Sequence, residues 1–218
     1  AYSSRGSVKT INPDINYTGV DGSPQTAKAT SLMSVRNVSL HMYTDMVKVG
    51  GEEISERMLG VLLTTLIATS HDKGSDARGP NSKKGYVYQV TPKLQTAEEV
   101  GEQVRLFEAV ETRLGLAKNT MLIGIMNEEL GMTLQLSESL RAAQSRIFFT
   151  NTGFLDRTGS QIRVQTQAGP VDLRDDLTRS VFNISYELHN VDVSLRAGVH
   201  RQGKIGKGMQ VRNRAMVE

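Results

Sequence analysis

The sequence predicts an α/β fold in which a mainly parallel sheet is flanked by helices. Three observations carry this reading. Short apolar runs alternate with longer stretches of helical periodicity, and the connections between them are short. Two of the runs, Met121 to Met126 and Arg146 to Thr150, each lead into acidic residues, within Gly124-Ile125-Met126-Asn127-Glu128-Glu129 and Asn151-Thr152-Gly153-Phe154-Leu155-Asp156-Arg157-Thr158-Gly159. Between them, Leu134 to Ser145 reads as a short helix, giving a strand–helix–strand unit with a carboxylate just past each strand. In a parallel sheet both carboxylates emerge on one edge, and two hard oxygen ligands converging there are what a Mg²⁺ site needs.

The elements follow in order. Residues 1–30 are rich in Gly, Ser, Thr, Asn and Asp, and Asn12-Pro13-Asp14 and Asp21-Gly22-Ser23-Pro24 are turn sequences, so an extended N-terminal arm is expected there. Residues 31–218 read as one domain. Leu32 to Tyr43 is a candidate strand, and Val49-Gly50-Gly51 a turn. Ile54 to Thr69 is a helix, because Ile54, Met58, Val61, Leu62, Thr65 and Leu66 share one face. His71 to Lys84 is a polar loop, and Tyr86 to Val90 a strand closed by Pro92. Ala97 to Leu114 is a second helix, with Thr96 and Glu99 spaced as a capping box. After the strand–helix–strand unit, Gln161 to Leu173 reads as an irregular connection. Asp175 to Leu195 reads as a helix weakened by Asn183 and Asn190, and Gly203 to Val211 as a last strand.

Composition narrows the function classes. Hydrophobic residues make up 38% and charged residues 22% of the 218, as in a soluble globular protein. A net charge of +3 is too small to point to nucleic acid. The chain has no Cys, which excludes disulfides and thiolate metal sites and fits a cytoplasmic or organelle-matrix location. No apolar run reaches membrane-spanning length, and Ala1-Tyr2-Ser3-Ser4-Arg5 does not open a secretory leader. The four His residues show no ligand spacing, and the nine Met residues fall mostly on apolar faces as core. Gly203-Lys204-Ile205-Gly206-Lys207-Gly208 lacks the Gly-Lys-Ser/Thr ending of a phosphate-binding loop.

Several stretches together resemble malate synthase of the G type: Val35-Arg36-Asn37-Val38, Asn81-Ser82 with Gly85, Thr91-Pro92-Lys93, the Gly124–Glu129 and Asn151–Gly159 segments, Ala168-Gly169-Pro170 and Ile205-Gly206-Lys207-Gly208-Met209. The resemblance implies a TIM barrel, of which five strands, near 32–43, 86–91, 121–126, 146–151 and 203–211, are found here where a closed barrel has eight. The expected fold is therefore an incomplete TIM-barrel-like parallel sheet, with open edges covered by the N-terminal arm, a partner chain or self-association. The resemblance further implies that Glu128 and Asp156 hold Mg²⁺. It implies too that Gly153, Phe154, Leu155 and Asp156 form a loop whose backbone N–H groups receive glyoxylate, and that acetyl-CoA is the second substrate. Glu129 reads as a solvated charge. The implied reaction joins acetyl-CoA, glyoxylate and water into malate and CoA.

Departures from the family pattern surround this site. Lys83 stands where the family has an Arg that stabilises the oxyanion, and a Lys lacks the planar fork. Asn127 stands for Asp, Leu130-Gly131 for Arg-Arg, Ser160-Gln161 for acidic residues and Gln210 for Trp. The family's catalytic base lies in a C-terminal part with no counterpart here. The sequence thus leads to a malate-synthase-like chain without independent activity. The alternative is a non-catalytic structural or interaction subunit derived from the same fold.

Overall fold

A computed structural model describes residues 2–4, 7–9, 12–29, 34–73, 82 and 84–206 of the chain. Two compact units are present, Ala1–Met33 and Ser34–Glu218. In the first, β1 (Tyr2–Ser4) pairs antiparallel with β2 (Ser7–Lys9), and β3 (Ile15–Thr18) with β4 (Pro24–Ala27). The turn between β3 and β4 uses Asp21-Gly22-Ser23. The Asp21 carboxylate accepts from the Ser23 N–H (3.0 Å) and hydroxyl (2.7 Å), and Gly22 takes φ 79°.

The second unit begins with β5 (Val35–Arg36), the hairpin strands β6 (Tyr43–Val49) and β7 (Glu52–Ser55), and α1 (Glu56–Lys73). Next come β8 (Val87–Thr91), α2 (Ala97–Leu114) and β9 (Met121–Asn127). They are followed by α3 (Leu130–Leu134), α4 (Leu136–Ala142), β10 (Ile147–Thr152) and α5 (Phe154–Ala168). The last described elements are α6 (Arg174–Leu177), α7 (Val181–Arg196), a 3₁₀ turn over Val199–Arg201, and β11 (Lys204–Ile205).

Five strands form one sheet in the order β11-β10-β9-β8-β5, and every neighbouring pair is parallel. The parallel sheet with flanking helices expected from the sequence is what forms. One face carries Val87, Met121, Ile123, Ile125 and Ile147, packed against Val61, Val100, Phe107, Leu136 and Leu140 of the helices. Burial of these side chains supplies the main driving force for the layer. The other face carries Tyr88, Val90, Leu122, Met126, Phe148 and Phe149. Its aromatic rings meet edge to face, Tyr88 on Phe148 at 5.1 Å and Phe148 on Phe149 at 4.7 Å. A register shift between Ile147 and Phe149 breaks the two-residue alternation of β10 and gives this face two adjacent phenylalanines.

The start of β9 is locked by a buried ion pair. Arg146 Nη1 and Nη2 donate to Glu111 Oε1 (2.7 Å) and Oε2 (2.9 Å), and Glu111 Oε1 also accepts from the Met121 N–H (2.8 Å). Helix α2 begins with the expected cap: Thr96 Oγ1 accepts from the Glu99 N–H at 3.1 Å, and Glu99 Oε2 reaches back to the Gln95 N–H at 2.5 Å.

Four expectations are corrected. Among the described residues, the strand expected over 32–43 shrinks to Val35–Arg36, because the carbonyls of Asn37 (3.5 Å) and Val38 (2.9 Å) turn to the buried guanidinium of Arg57. The helix expected over 134–145 is two pieces broken at Gln135, whose side chain accepts from the Ala97 N–H at the start of α2 (3.2 Å). The irregular connection expected over 161–173 is largely helical. Helix α5 runs to Ala168, tied by Arg157 to Gln161 (2.6 Å) and Gln161 to Gln165 (3.1 Å), and stops at Gly169-Pro170. The helix expected over 175–195 divides into α6 and α7, the latter capped by Ser180, which accepts from the Asn183 N–H at 3.2 Å. No described helix is long and apolar enough to cross a membrane.

Candidate functional site

Parallel strands deliver their carboxyl ends to a common edge, and the chemistry-bearing residues gather there. Strand β9 ends at Asn127 and passes directly into Glu128 and Glu129. Strand β10 ends at Thr152, in register with Asn127, and Gly153 then caps α5, with Asp156 in its first turn. Strand β8 ends at Thr91, followed by Pro92 and Lys93. Arg36 comes from β5, in register with Val90.

The side chains converge on the Lys93 ammonium. Its Nζ lies 2.6 Å from Asp156 Oδ1 and 3.5 Å from both Glu128 Oε1 and Glu129 Oε1. The Lys93 N–H donates to the same Glu128 oxygen at 3.0 Å, and Arg36 Nη2 lies 3.7 Å from it. The Glu128 side chain is 1% exposed and that of Asp156 46%. Burial raises the Glu128 pKa; Lys93 opposes this, the Asp156 charge adds to it, and Arg36 opposes it in turn. For Lys93, burial pulls the pKa down, but the Asp156 hydrogen bond and the charges of Glu128, Asp156 and Glu129 outweigh it and leave the pKa raised.

Glycine makes room for this arrangement. A β-carbon on Gly153 would lie 2.9 Å from Glu128 Oε2 and 3.2 Å from Glu128 Cβ, so the buried carboxylate occupies space that any other residue would fill. The Gly153 N–H donates to Tyr186 Oη at 2.9 Å, and the Tyr186 hydroxyl donates to the Asn127 carbonyl. Burial pushes the Tyr186 pKa far above the ordinary phenol value. The N–H groups of Phe154, Leu155 and Asp156 occupy the first turn of α5, where the helix itself offers no acceptors. The first intrahelical bond of α5 is Arg157 N–H to Gly153 O, at 2.9 Å.

Behind the edge lies a buried polar network. Asn127 Nδ2 donates to Asn190 Oδ1 (3.1 Å), while Asn127 Oδ1 accepts from Thr133 Oγ1 (2.8 Å). Thr133 Oγ1 accepts in turn from Arg157 Nε (2.8 Å), and Arg157 lies over the Phe182 and Tyr186 rings at 5.4 and 5.7 Å. Asn190 Nδ2 donates to the Gly206 carbonyl at 3.1 Å. Of the two asparagines that weaken α7 as a helix, Asn190 is thus the one that ties α7 to β9 and to the residue after β11.

Of the candidate residues, Glu128, Gly153 and Asp156 come together at this edge. The side chains of Phe154 and Leu155 pack in a cluster with Leu177 and Tyr186, leaving their backbone N–H groups as their contribution. Glu129 is corrected: it is 9% exposed rather than solvated, and accepts from Gln95 Nε2 at 2.9 Å besides facing Lys93. Lys83 and Met209 lie outside the described residues. Sequence reasoning passed over Lys93, Arg36 and Tyr186 as site residues. Lys93 was findable, since it follows the end of an expected strand; Arg36 fell inside the strand expected over 32–43 and Tyr186 mid-helix, so neither carried such a signal.

Among the described residues no three His, Asp or Glu side chains are grouped to hold a metal ion. Two carboxylates are nevertheless enough for Mg²⁺, which keeps several waters and takes further oxygens from substrate. Glu128 and Asp156 share one cation already, and their hard oxygen donors fit that ion.

Comparison with known proteins places the chain. The family model for the malate synthase TIM barrel domain matches residues 32–217. Malate synthase G of Halalkalibacterium halodurans is 40% identical over 200 residues, covering 91% of this chain and 27% of that protein. The malate synthase G proteins of Corynebacterium glutamicum and Corynebacterium efficiens are each 35% identical over 208 residues, covering 95% of this chain and 28% of theirs. The chain thus spans little more than a quarter of the length of these relatives.

Proposed function

The chain belongs to the malate synthase family, and on that premise we propose that it carries the Mg²⁺- and glyoxylate-holding edge of an enzyme that makes malate and CoA from acetyl-CoA, glyoxylate and water. The convergence of Glu128 and Asp156 on one cation at the carboxyl edge of the sheet carries this reading. In it, Glu128 and Asp156 hold the ion. When bound, Mg²⁺ polarises the aldehyde oxygen of glyoxylate. The first-turn amides of Phe154, Leu155 and Asp156 receive the glyoxylate carboxylate, as helix N-termini receive small anions. Arg36, whose guanidinium lies 3.7 Å from Glu128, adds positive charge beside the ion, which in a partly buried site favours the developing oxyanion.

The reaction needs a base to take a proton from the acetyl methyl. The resulting enolate carbon bonds to the aldehyde carbon, and water then cleaves the thioester, releasing CoA. None of the described residues is assigned as that base. We place it in the part of the relatives' length that this chain does not span. Among the described residues β5 and β11 are the outermost strands of the sheet, and there further strands or a partner chain would join.

Two measurements test the proposal. Mn²⁺, a spectroscopic substitute for Mg²⁺, should bind the 218-residue chain and lose most of its affinity in Asp156→Asn. Equal binding by both would remove Asp156 from the site. In a thiol-release assay with acetyl-CoA, glyoxylate and Mg²⁺, this chain alone should show no turnover, since a positioned acid–base group contributes about 10²–10⁴-fold. Turnover abolished by Asp156→Asn would place the base within these residues and overturn that assignment.

A further inference from the structure

We propose that Lys93 is the resident cation of the carboxylate cluster, and that its ammonium and a divalent cation are alternative occupants of one place. The inference rests on the metal reading of Glu128 and Asp156 given above. Lys93 Nζ is 2.6 Å from Asp156 Oδ1 and 3.5 Å from an oxygen of each of Glu128 and Glu129. Among the described residues Lys93 thus faces three carboxylates, while Arg36 at 3.7 Å reaches Glu128 and the Arg157 charge interacts with Glu129. A divalent ion balances such a cluster better than one ammonium does.

The backbone is arranged for the same contact. Lys93 has φ 62°, a conformation that a residue with a β-carbon adopts at some cost, immediately after Pro92. Two bonds hold it there: its N–H on Glu128 Oε1 at 3.0 Å, and its ammonium on Asp156. The side chain is 27% exposed. A flexible four-carbon stem at that exposure can swing its charge into water as an ion arrives. Lys93 thus acts as a positioning residue. Without the ion it keeps the Glu128 and Asp156 carboxylates from repelling one another, and with the ion it withdraws.

The test uses the 218-residue chain, with Mn²⁺ alone as probe. Affinity is read by calorimetry and water-proton relaxation, folding by circular dichroism, and thermal unfolding with and without Mn²⁺. Lys93→Gln and Lys93→Met should bind Mn²⁺ roughly five- to 100-fold more tightly than the parent chain, in the range of ordinary coupling between sites. Their ion-free forms should melt at lower temperature and gain more from Mn²⁺ than the parent does. Lys93→Arg, which keeps the charge, should bind close to the parent. Where an uncharged variant is unfolded without the ion, folding on addition of Mn²⁺ is the same result; failure to fold with Mn²⁺ present overturns the proposal. Unchanged or weaker binding by both uncharged variants also overturns it, provided Asp156→Asn still abolishes binding. If Asp156→Asn binds like the parent, the metal reading itself fails and this proposal with it.

Discussion

The Tyr186 hydroxyl stands between the ends of β9 and β10, accepting from Gly153 N–H and donating to the Asn127 carbonyl. Replacing Tyr186 with Phe leaves both buried backbone groups short of a partner, so urea unfolding should show a loss of about 1–3 kcal/mol. The pH dependence follows from the raised pKa, caused first by burial. A group whose pKa is raised on folding contributes stability that is complete below its unfolded value, here 10.0, and is lost as pH rises toward its folded value. The parent chain should therefore lose stability at alkaline pH above that point, and Tyr186→Phe should lose less over the same range. Equal alkaline slopes would mean that Tyr186 does not titrate against folding. Asn127, which departs from the family's aspartate, also makes sense at this scale. It donates to Asn190 and accepts from Thr133, and an ionised carboxylate could only accept. Glu128 was legible as a strand-end acid because it closely follows an apolar run, whereas Asp156, in the first turn of α5, was singled out through the resemblance carried by Asn151–Gly159. Lys93 was not singled out as a site residue, because a lysine in a loop looks solvated until its three carboxylate neighbours are placed around it.

At the scale of elements, the sequence was read well where one periodicity ruled. Helix α2 and strands β8, β9 and β10 lie within a residue or two of where their apolar spacing put them. Helix α5 was missed because Gln161, Arg163, Gln165 and Gln167 offer no apolar stripe; side-chain amides in series hold its turns instead. The irregularity in β10 was equally hidden, since Phe148-Phe149 alternates with nothing. It brings the Phe149 ring over Gly124, where an added β-carbon would lie 2.5 Å from the ring. Gly124→Ala should therefore overpack the face and cost about 1–3 kcal/mol by chemical denaturation. The Glu111–Arg146 pair joins α2 to the starts of β9 and β10. Arg146→Met alone should cost about 3–5 kcal/mol by leaving a buried carboxylate without its partner, whereas adding Glu111→Leu should recover part of that loss. A double variant no more stable than Arg146→Met would show that Glu111 matters chiefly through its hold on the Met121 N–H.

At the scale of the whole molecule, family and sheet were both readable from the strand-end motifs, and the sheet's order follows from parallel pairing of successive strands. The extent of the pairing was not readable, and it is uneven. Strand β9 meets a partner on each side through five of its seven residues, while among the described residues β5 and β11 each meet the sheet through two. Amide protons report that difference directly, because exchange with deuterium waits for local opening. The protons of β9 should be the slowest to exchange and those of β5 and β11 among the fastest, and uniform protection across the five strands would contradict the pairing described. Glu128 and Glu129 then hang from the strand that breathes least, and Arg36 from one that frays. The carboxylates would hold their places while the guanidinium comes and goes.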